Sequence, residues 1–305
     1  MARPFRFSLQ AFEAPSADAW VTTCRRAEEL GYDTLFTTDH HFGPGEIAAA
    51  SGHRPVDVAP ISAMTMAAAV TSTMKVGCRV FGVDYHQPVV LAKELATVDF
   101  LSKGRLVAAI GAGWVKAEYD GLGIQQDKPS VRIERLSEVI DVLRAHWGCE
   151  PIDIKGKHVS VGGFAGAPKP AQDSIPLMIG GGAEKILTLA GQKADIVSFN
   201  FNNSAGKLGA SSVASATEDE TLQKIQWVKD AAGARFADLE LEIDGKLLVD
   251  GRIANNLPIQ LARDTAALPA TELAADPNCL SRLLAVPGKF CAERLDQLEA
   301  RGEGS

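Results

Sequence analysis

Residues 87–114 read QPVVLAKELATVDFLSKGRLVAAIGAGW. Pro88 opens an apolar stretch of helical period that runs to Leu101, because a proline in the first helical turn forfeits no hydrogen bond. Gly104 stops it. Arg105 to Ile110 then forms a short apolar run of strand type that flows into Gly111, Ala112, Gly113 and Trp114.

The same unit recurs on both sides. Upstream, Phe5 to Leu9 reads as a strand, Ala17 to Leu30 as a helix capped by Ser16 and stopped by Gly31, and Thr34 to Thr38 as a strand. A Gly- and Pro-rich loop spans Phe42 to Val58, followed by a helix over Pro60 to Ser72 and a strand over Lys75 to Phe81. Downstream, strand Leu177 to Ile179 enters Gly180, Gly181 and Gly182. Helix Glu184 to Gly191, strand Asp195 to Phe199, a Gly/Ser/Asn loop over Asn200 to Ala216, helix Glu218 to Ala232, strand Leu239 to Val249 and a helix near Lys289 to Ala300 follow. Residues 115–175 stretch the period: a helix from about Val131 to Trp147 and a small hairpin turning at Lys155-Gly156 make them an insertion after strand four.

Strands that alternate with helices predict a parallel sheet, since parallel neighbours need a crossover. The fold class is α/β, with seven core strands near positions 5, 34, 75, 105, 177, 195 and 240. The sequence stops at Gly304-Ser305, where a helix-to-strand turn is due to deliver an eighth, so that strand is expected to be missing or truncated. Either the natural chain continues, or the sheet keeps two open edges.

Of 305 residues, 46% are apolar and 23% charged, with a net charge of −7. No block of basic residues points to nucleic acid. Five cysteines without CxxC spacing argue against a disulfide framework or a zinc ribbon and suit a reducing cytoplasm. No stretch has the length or apolarity of a signal peptide core or a membrane span. A small molecule or another protein is the expected partner.

In a barrel of parallel strands, chemistry sits at the C-terminal strand ends. Asp39, His40 and His41 close strand two there; Gly82 to Gln87, Gly111 to Trp114 and Gly180 to Gly182 close strands three to five. Histidine shuttles protons near neutrality and an adjacent carboxylate fixes its tautomer, so Asp39, His40 and His41 form the sharpest polar cluster, although one histidine could instead cap a loop by hydrogen bonding. The run Gly180 to Gly182 opens onto a helix and can bring backbone amides to a phosphate, or it can serve only as a tight turn. It lacks the dinucleotide fingerprint, and no Walker lysine pattern or GxSxG elbow occurs. Trp114, Tyr85 and Phe42 could wall a flat ligand. Glu118, just beyond Trp114, could serve as an acid or as surface charge, and surface charge is the favoured reading. No metal site is expected, because neither HExxH nor a cysteine pair is present.

Residues 27–40, 87–106, 110–114, 177–182 and 194–197 together resemble the bacterial luciferase-like superfamily, and within it the oxidoreductases that use the deazaflavin coenzyme F420. The resemblance implies a (β/α)8 TIM barrel over residues 1–305 as one domain, with the cofactor across its C-terminal mouth. It places a non-prolyl cis peptide near Gly82-Val83 behind the central ring, the cofactor phosphate on Gly180, Gly181 and Gly182, and the ring against Asp39, His40, Gly111, Ala112, Gly113 and Trp114. Sugar-phosphate dehydrogenases of the group carry an acid where Trp114 stands, so glucose-6-phosphate is not the expected substrate. Many relatives carry arginine where His86 stands, which leaves a local basic patch, Lys185 and Lys207, to hold an anionic tail. Relatives often dimerise through barrel helices, and a homodimer is open here.

The resulting expectation is an enzyme that moves a hydride between coenzyme F420 and a small organic substrate, with His40, steered by Asp39, exchanging a proton. Two alternatives stand beside it. One is a flavin mononucleotide (FMN)-dependent monooxygenase; the other is a catalytically silent binding protein.

Overall fold

The computed structural model describes residues 6–243 except 210, 211, 213, 214 and 216. The elements begin with β1 (Ser8–Gln10), α1 (Ala17–Glu29), β2 (Thr34–Thr37), α2 (Glu46–Ser51), α3 (Pro60–Val70), β3 (Lys75–Cys78) and β4 (Phe81–Gly82). A 3-10 turn (Val83–Tyr85) leads to α4 (Pro88–Leu101), β5 (Leu106–Gly111), α5 (Lys116–Leu122), α6 (Pro129–Trp147) and the strands β6 (Ile152–Lys155) and β7 (Ser160–Phe164). The last are β8 (Leu177–Gly181), α7 (Glu184–Lys193), β9 (Ile196–Phe199), α8 (Glu218–Ala232) and β10 (Glu240–Ile243). The rest of the strand expected to reach Val249, the helix near Lys289 and the question of an eighth strand lie outside the described residues.

Local chemistry sets the boundaries. Ser16 Oγ accepts the amide of Ala19 at the start of α1, and Gly31 at φ 80° ends that helix in the left-handed region. Helices α3, α4 and α6 each start at proline. Thr217 caps α8 by accepting from Glu220, and three acidic residues occupy its first turn.

Seven strands pair side by side in the order β1-β2-β3-β5-β8-β9-β10, all parallel, with β4 added on β5. The sheet curls. Phe36, Val107, Ala109, Met178 and Ile196 form a cluster of their own inside it, with Val80 packed against them. The alternate residues Leu35, Leu106, Ala108, Ile110, Ile179 and Val197 belong to the larger core shared with the helices. Gly77 is required there: a Cβ would stand 2.6 Å from the ring of Phe36. Arg6 beside β1 donates to Glu240 of β10, so side chains link the two ends of the described sheet. This is the (β/α)8 barrel class over seven of its strand positions.

Polar side chains at the base serve the backbone. Glu28 accepts the amides of Ser72, Thr73 and Met74. Asp99, fully buried, accepts those of Ala171 and Gln172, and Arg105 donates to the carbonyls of Ala68, Thr71, Met74 and Ser102. Within residues 115–175, α6 lies in the helical layer between α4 and α7, and β6 and β7 form an antiparallel hairpin.

Two expectations need correction. The loop over Phe42 to Val58 contains α2, ended by Gly52 at φ 68°. The strand expected over Lys75 to Phe81 is split: β3 ends at Cys78 and β4 starts at Phe81, with Arg79 and Val80 in a turn between them, and the non-prolyl cis peptide is Arg79–Val80 rather than near Gly82-Val83. Among the described residues no helix is long and apolar enough to cross a membrane.

Candidate active site

β2 ends at Thr37, so residues 38–41 run across the C-terminal mouth without strand alternation. That freedom lets neighbouring side chains take different directions. Asp39 is buried, and its Oδ2 accepts from the amide of Gly82 at 2.9 Å and from His86 Nε2 at 2.8 Å. Its Oδ1 lies 3.4 Å from His41 Nε2. Burial pushes the Asp39 carboxyl up, but the hydrogen bonds from His41, His86 and Gly82 outweigh it and hold the group at about 2. The same contact raises His41 against its own partial burial.

His40 has a different partner. Its Nδ1 lies 2.7 Å from Glu118 Oε2, while Glu118 Oε1 accepts the amide of His41 at 2.6 Å. Glu118 sits in the first turn of α5 and is 1% exposed, so reading it as surface charge is wrong. Asp39 does not steer His40; Glu118 does. Tyr85 donates to Glu118 Oε2 at 3.3 Å, and burial together with that carboxylate raises the phenol, which keeps it a donor. With its Nδ1–H given to a carboxylate, His40 has Nε2 left for a ligand.

A cavity of about 240 Å³ opens at this end of the sheet. Asp39, His40, Gly82, Gly111, Ala112, Gly113, Trp114, Gly180, Gly181 and Gly182 all line it. Val83 does not: it is buried in the 3-10 turn, and Val80 at the cis bond occupies the floor. A Cβ on Gly111 would stand 2.7 Å from Val80 Cγ2, and one on Gly180 would stand 3.2 Å from Val80 Cγ1. Those glycines therefore make room for Val80. A Cβ on Gly182 would run into the carbonyl of Phe201, and at Gly181 into Ile186, so the run after β8 also meets the demand of a tight turn. Tyr119 closes on Gly113, which has a φ of 70°, and donates to Asp84 at 2.8 Å; Arg132 donates to the carbonyls of Ala112 and Gly113.

Tyr85 and Trp114 line the cavity, whereas Phe42 stands behind it, 5.4 Å from the His40 ring. Lys185 and Lys207 are exposed and do not line it. His53, which the sequence reading passed over, does line it; nothing in a loop of that composition marks the residue. Asp39, His41 and His86 bring donor atoms within 4.8 Å of one another, as a metal site would. Both imidazoles already face the one carboxylate, which is the arrangement of a hydrogen-bonded cluster.

An uncharacterised protein of Mycobacterium tuberculosis is 30% identical over 200 residues, 62% of this chain and 70% of its own. An F420-dependent glucose-6-phosphate dehydrogenase of Amycolatopsis mediterranei is 29% identical over 171 residues, 56% of this chain and 49% of the dehydrogenase, so the chain spans about half of that relative. The solved structure of an F420-dependent secondary alcohol dehydrogenase in complex with an F420-acetone adduct aligns with a TM-score of 0.64 at 20% identity, covering 88% of this chain and 82% of that one, a likeness of fold. The luciferase-like monooxygenase profile matches residues 4–218, more than half of the sequence, and the chain belongs to that family.

Proposed function

We propose that the chain is an oxidoreductase that moves a hydride between coenzyme F420 and a small organic substrate, with His40 exchanging the accompanying proton. The observation that carries this reading is the 2.7 Å contact between His40 Nδ1 and Glu118, made by a histidine that lines the cavity. The F420-dependent dehydrogenase relative supports the choice of cofactor.

The residues present fit such a group. Asn203 lines the cavity with a buried Oδ1 that has no hydrogen-bond partner, which suits an N–H on the edge of a heterocycle. Helix α7 has no side-chain cap, and Gly182 and Ala183 at its start both line the cavity, which suits a phosphate. Val80, Gly111 and Gly180 would form the floor beneath the ring. When bound, the deazaflavin supplies a two-electron hydride acceptor or donor.

The chain's own residues then handle the proton. In the oxidising direction, the substrate hydroxyl gives its proton to His40 Nε2 as its carbon gives up the hydride. Glu118 steadies the imidazolium formed, and Tyr85 and the His41 amide hold Glu118 in place. In the reducing direction the same proton returns to the carbonyl oxygen.

The test is to mix the purified protein with F420 and a panel of secondary alcohols while following cofactor absorbance and dissolved oxygen together. Cofactor reduction without oxygen uptake is expected. Oxygen uptake with reduced FMN, and no reduction of F420, would make the chain a monooxygenase instead.

A further inference from the structure

His53 stands at the centre of a cluster of rings drawn from four separate loops. Its ring lies 4.2 Å from His40, 5.7 Å from Phe12, 6.1 Å from Trp114 and 6.2 Å from Phe42, centroid to centroid. His40 and Trp114 are themselves 6.1 Å apart, edge to face. Of these five rings, His40, His53 and Trp114 line the cavity, and the two phenylalanines stand behind them.

The position of His53 is built. Ser51 is fully buried at the end of α2; its Oγ donates to Ala48 O and accepts the amide of His53, and its carbonyl accepts the amide of Leu208. Gly52 takes the left-handed conformation that turns the chain inward. Nδ1 of His53 lies 2.8 Å from the carbonyl of Arg54, which makes it the protonated nitrogen and fixes the ring. A buried imidazole, held through its amide by the Ser51 hydroxyl and through Nδ1 by the Arg54 carbonyl, and in ring contact with His40, forms a fixed part of the cavity wall.

We propose that His53 is the specificity-determining residue of the substrate slot, and that the slot takes a planar, aryl-conjugated secondary alcohol or ketone in preference to a saturated one. A flat ring packs against His53 and Trp114 in the offset or edge-to-face geometry that aromatic groups favour, which places an oxygen attached next to the ring toward His40. A saturated ring of the same size is thicker and gains burial without that geometry. The reaction rests on the hydride-transfer reading above; the ring preference does not.

The experiment measures by calorimetry the binding of acetophenone and cyclohexyl methyl ketone to the F420-loaded protein and to His53→Ala and His53→Phe. The cyclohexyl ketone is the more hydrophobic, so burial alone favours it. Wild type is expected to bind acetophenone severalfold tighter, up to about tenfold, the upper end of what an aromatic pair supplies. His53→Ala should bring the ratio to one or below, and His53→Phe should keep the wild-type preference. Equal binding of the two ketones by wild type, binding of neither, retention of the preference in His53→Ala or its loss in His53→Phe would each overturn the inference. F420 loading is measured first in the same cell. If it fails, the hydride-transfer reading falls, and the ring preference is read on the protein without cofactor.

Discussion

His40 Nδ1 and Glu118 Oε2 lie 2.7 Å apart although 78 residues separate them in sequence. The contact fixes the tautomer of a histidine at the cavity and puts a buried carboxylate behind it. His40→Ala should therefore lower turnover by roughly 10²-fold or more while leaving the F420 dissociation constant within about threefold. Glu118→Gln keeps an acceptor for Nδ1–H but removes the charge that steadies the imidazolium, and a loss of roughly 10- to 100-fold in kcat is expected. Steady-state rates beside cofactor titrations check both.

Asp39 acts on structure. It joins the segment after β2 to Gly82, His41 and His86, and Asp39→Asn should cost about 2–4 kcal/mol at pH 5.5, since it weakens a buried charged cluster. The sign with pH follows from the shifts. The carboxyl is depressed from 3.8 to about 2, so its contribution is complete above about 4 and is lost as pH falls toward 2. His41 is raised above 6.5, so its part is complete below 6.5 and is lost as pH rises through the raised value. Urea denaturation of wild type and variant at pH 3, 5.5 and 8.5 should show the widest gap at the middle value.

Gly111→Ala places a methyl group 2.7 Å from Cγ2 of Val80, which lines the cavity. F420 affinity should fall about tenfold or more, and the double variant with Val80→Ala should recover part of it, a coupling expected of two groups that compete for one space. Gly182→Ala meets the backbone carbonyl of Phe201 and should have no such rescue. Fluorescence titration of Gly111→Ala and Gly182→Ala, each alone and combined with Val80→Ala, distinguishes the two glycines.

Glu28 lies at the other end of the barrel. Its carboxylate takes three backbone amides and the Thr73 hydroxyl; partial burial pushes it up, and those bonds hold it at about 2. Glu28→Ala should cost about 2 kcal/mol in chemical denaturation, because several charge-assisted bonds are lost at once. It should leave kcat unchanged, since no part of that loop reaches the cavity.

These contrasts show what the sequence could reveal. Pro88, Gly104, Ser16 and Thr217 act through their nearest neighbours, so helix ends were legible to within a residue or two. The cluster at residues 39–41 was legible as polar side chains at a strand end. Which carboxylate holds His40 was not, because Glu118 reaches it only through the fold, and a lone acid after Trp114 looks like any surface charge. Arg79-Val80 hid inside an apolar run, where a break in the ladder leaves no compositional mark. His53 was invisible for a similar reason: its place depends on Ser51, Gly52 and Leu208 acting together. Asp99 and Arg105, within the stretch that carries the family resemblance, proved to brace the base of the barrel. Part of a recognisable motif thus encodes stability.

Hydride transfer to or from F420 requires that the chain bind F420 in preference to FMN. The purified chain should be titrated with F420 under argon, following the fluorescence of the cofactor, and then challenged with a tenfold excess of FMN. Saturable binding at one site per chain and no displacement by FMN are expected. Displacement of F420 by FMN, or binding of FMN alone, would contradict the hydride-transfer reading.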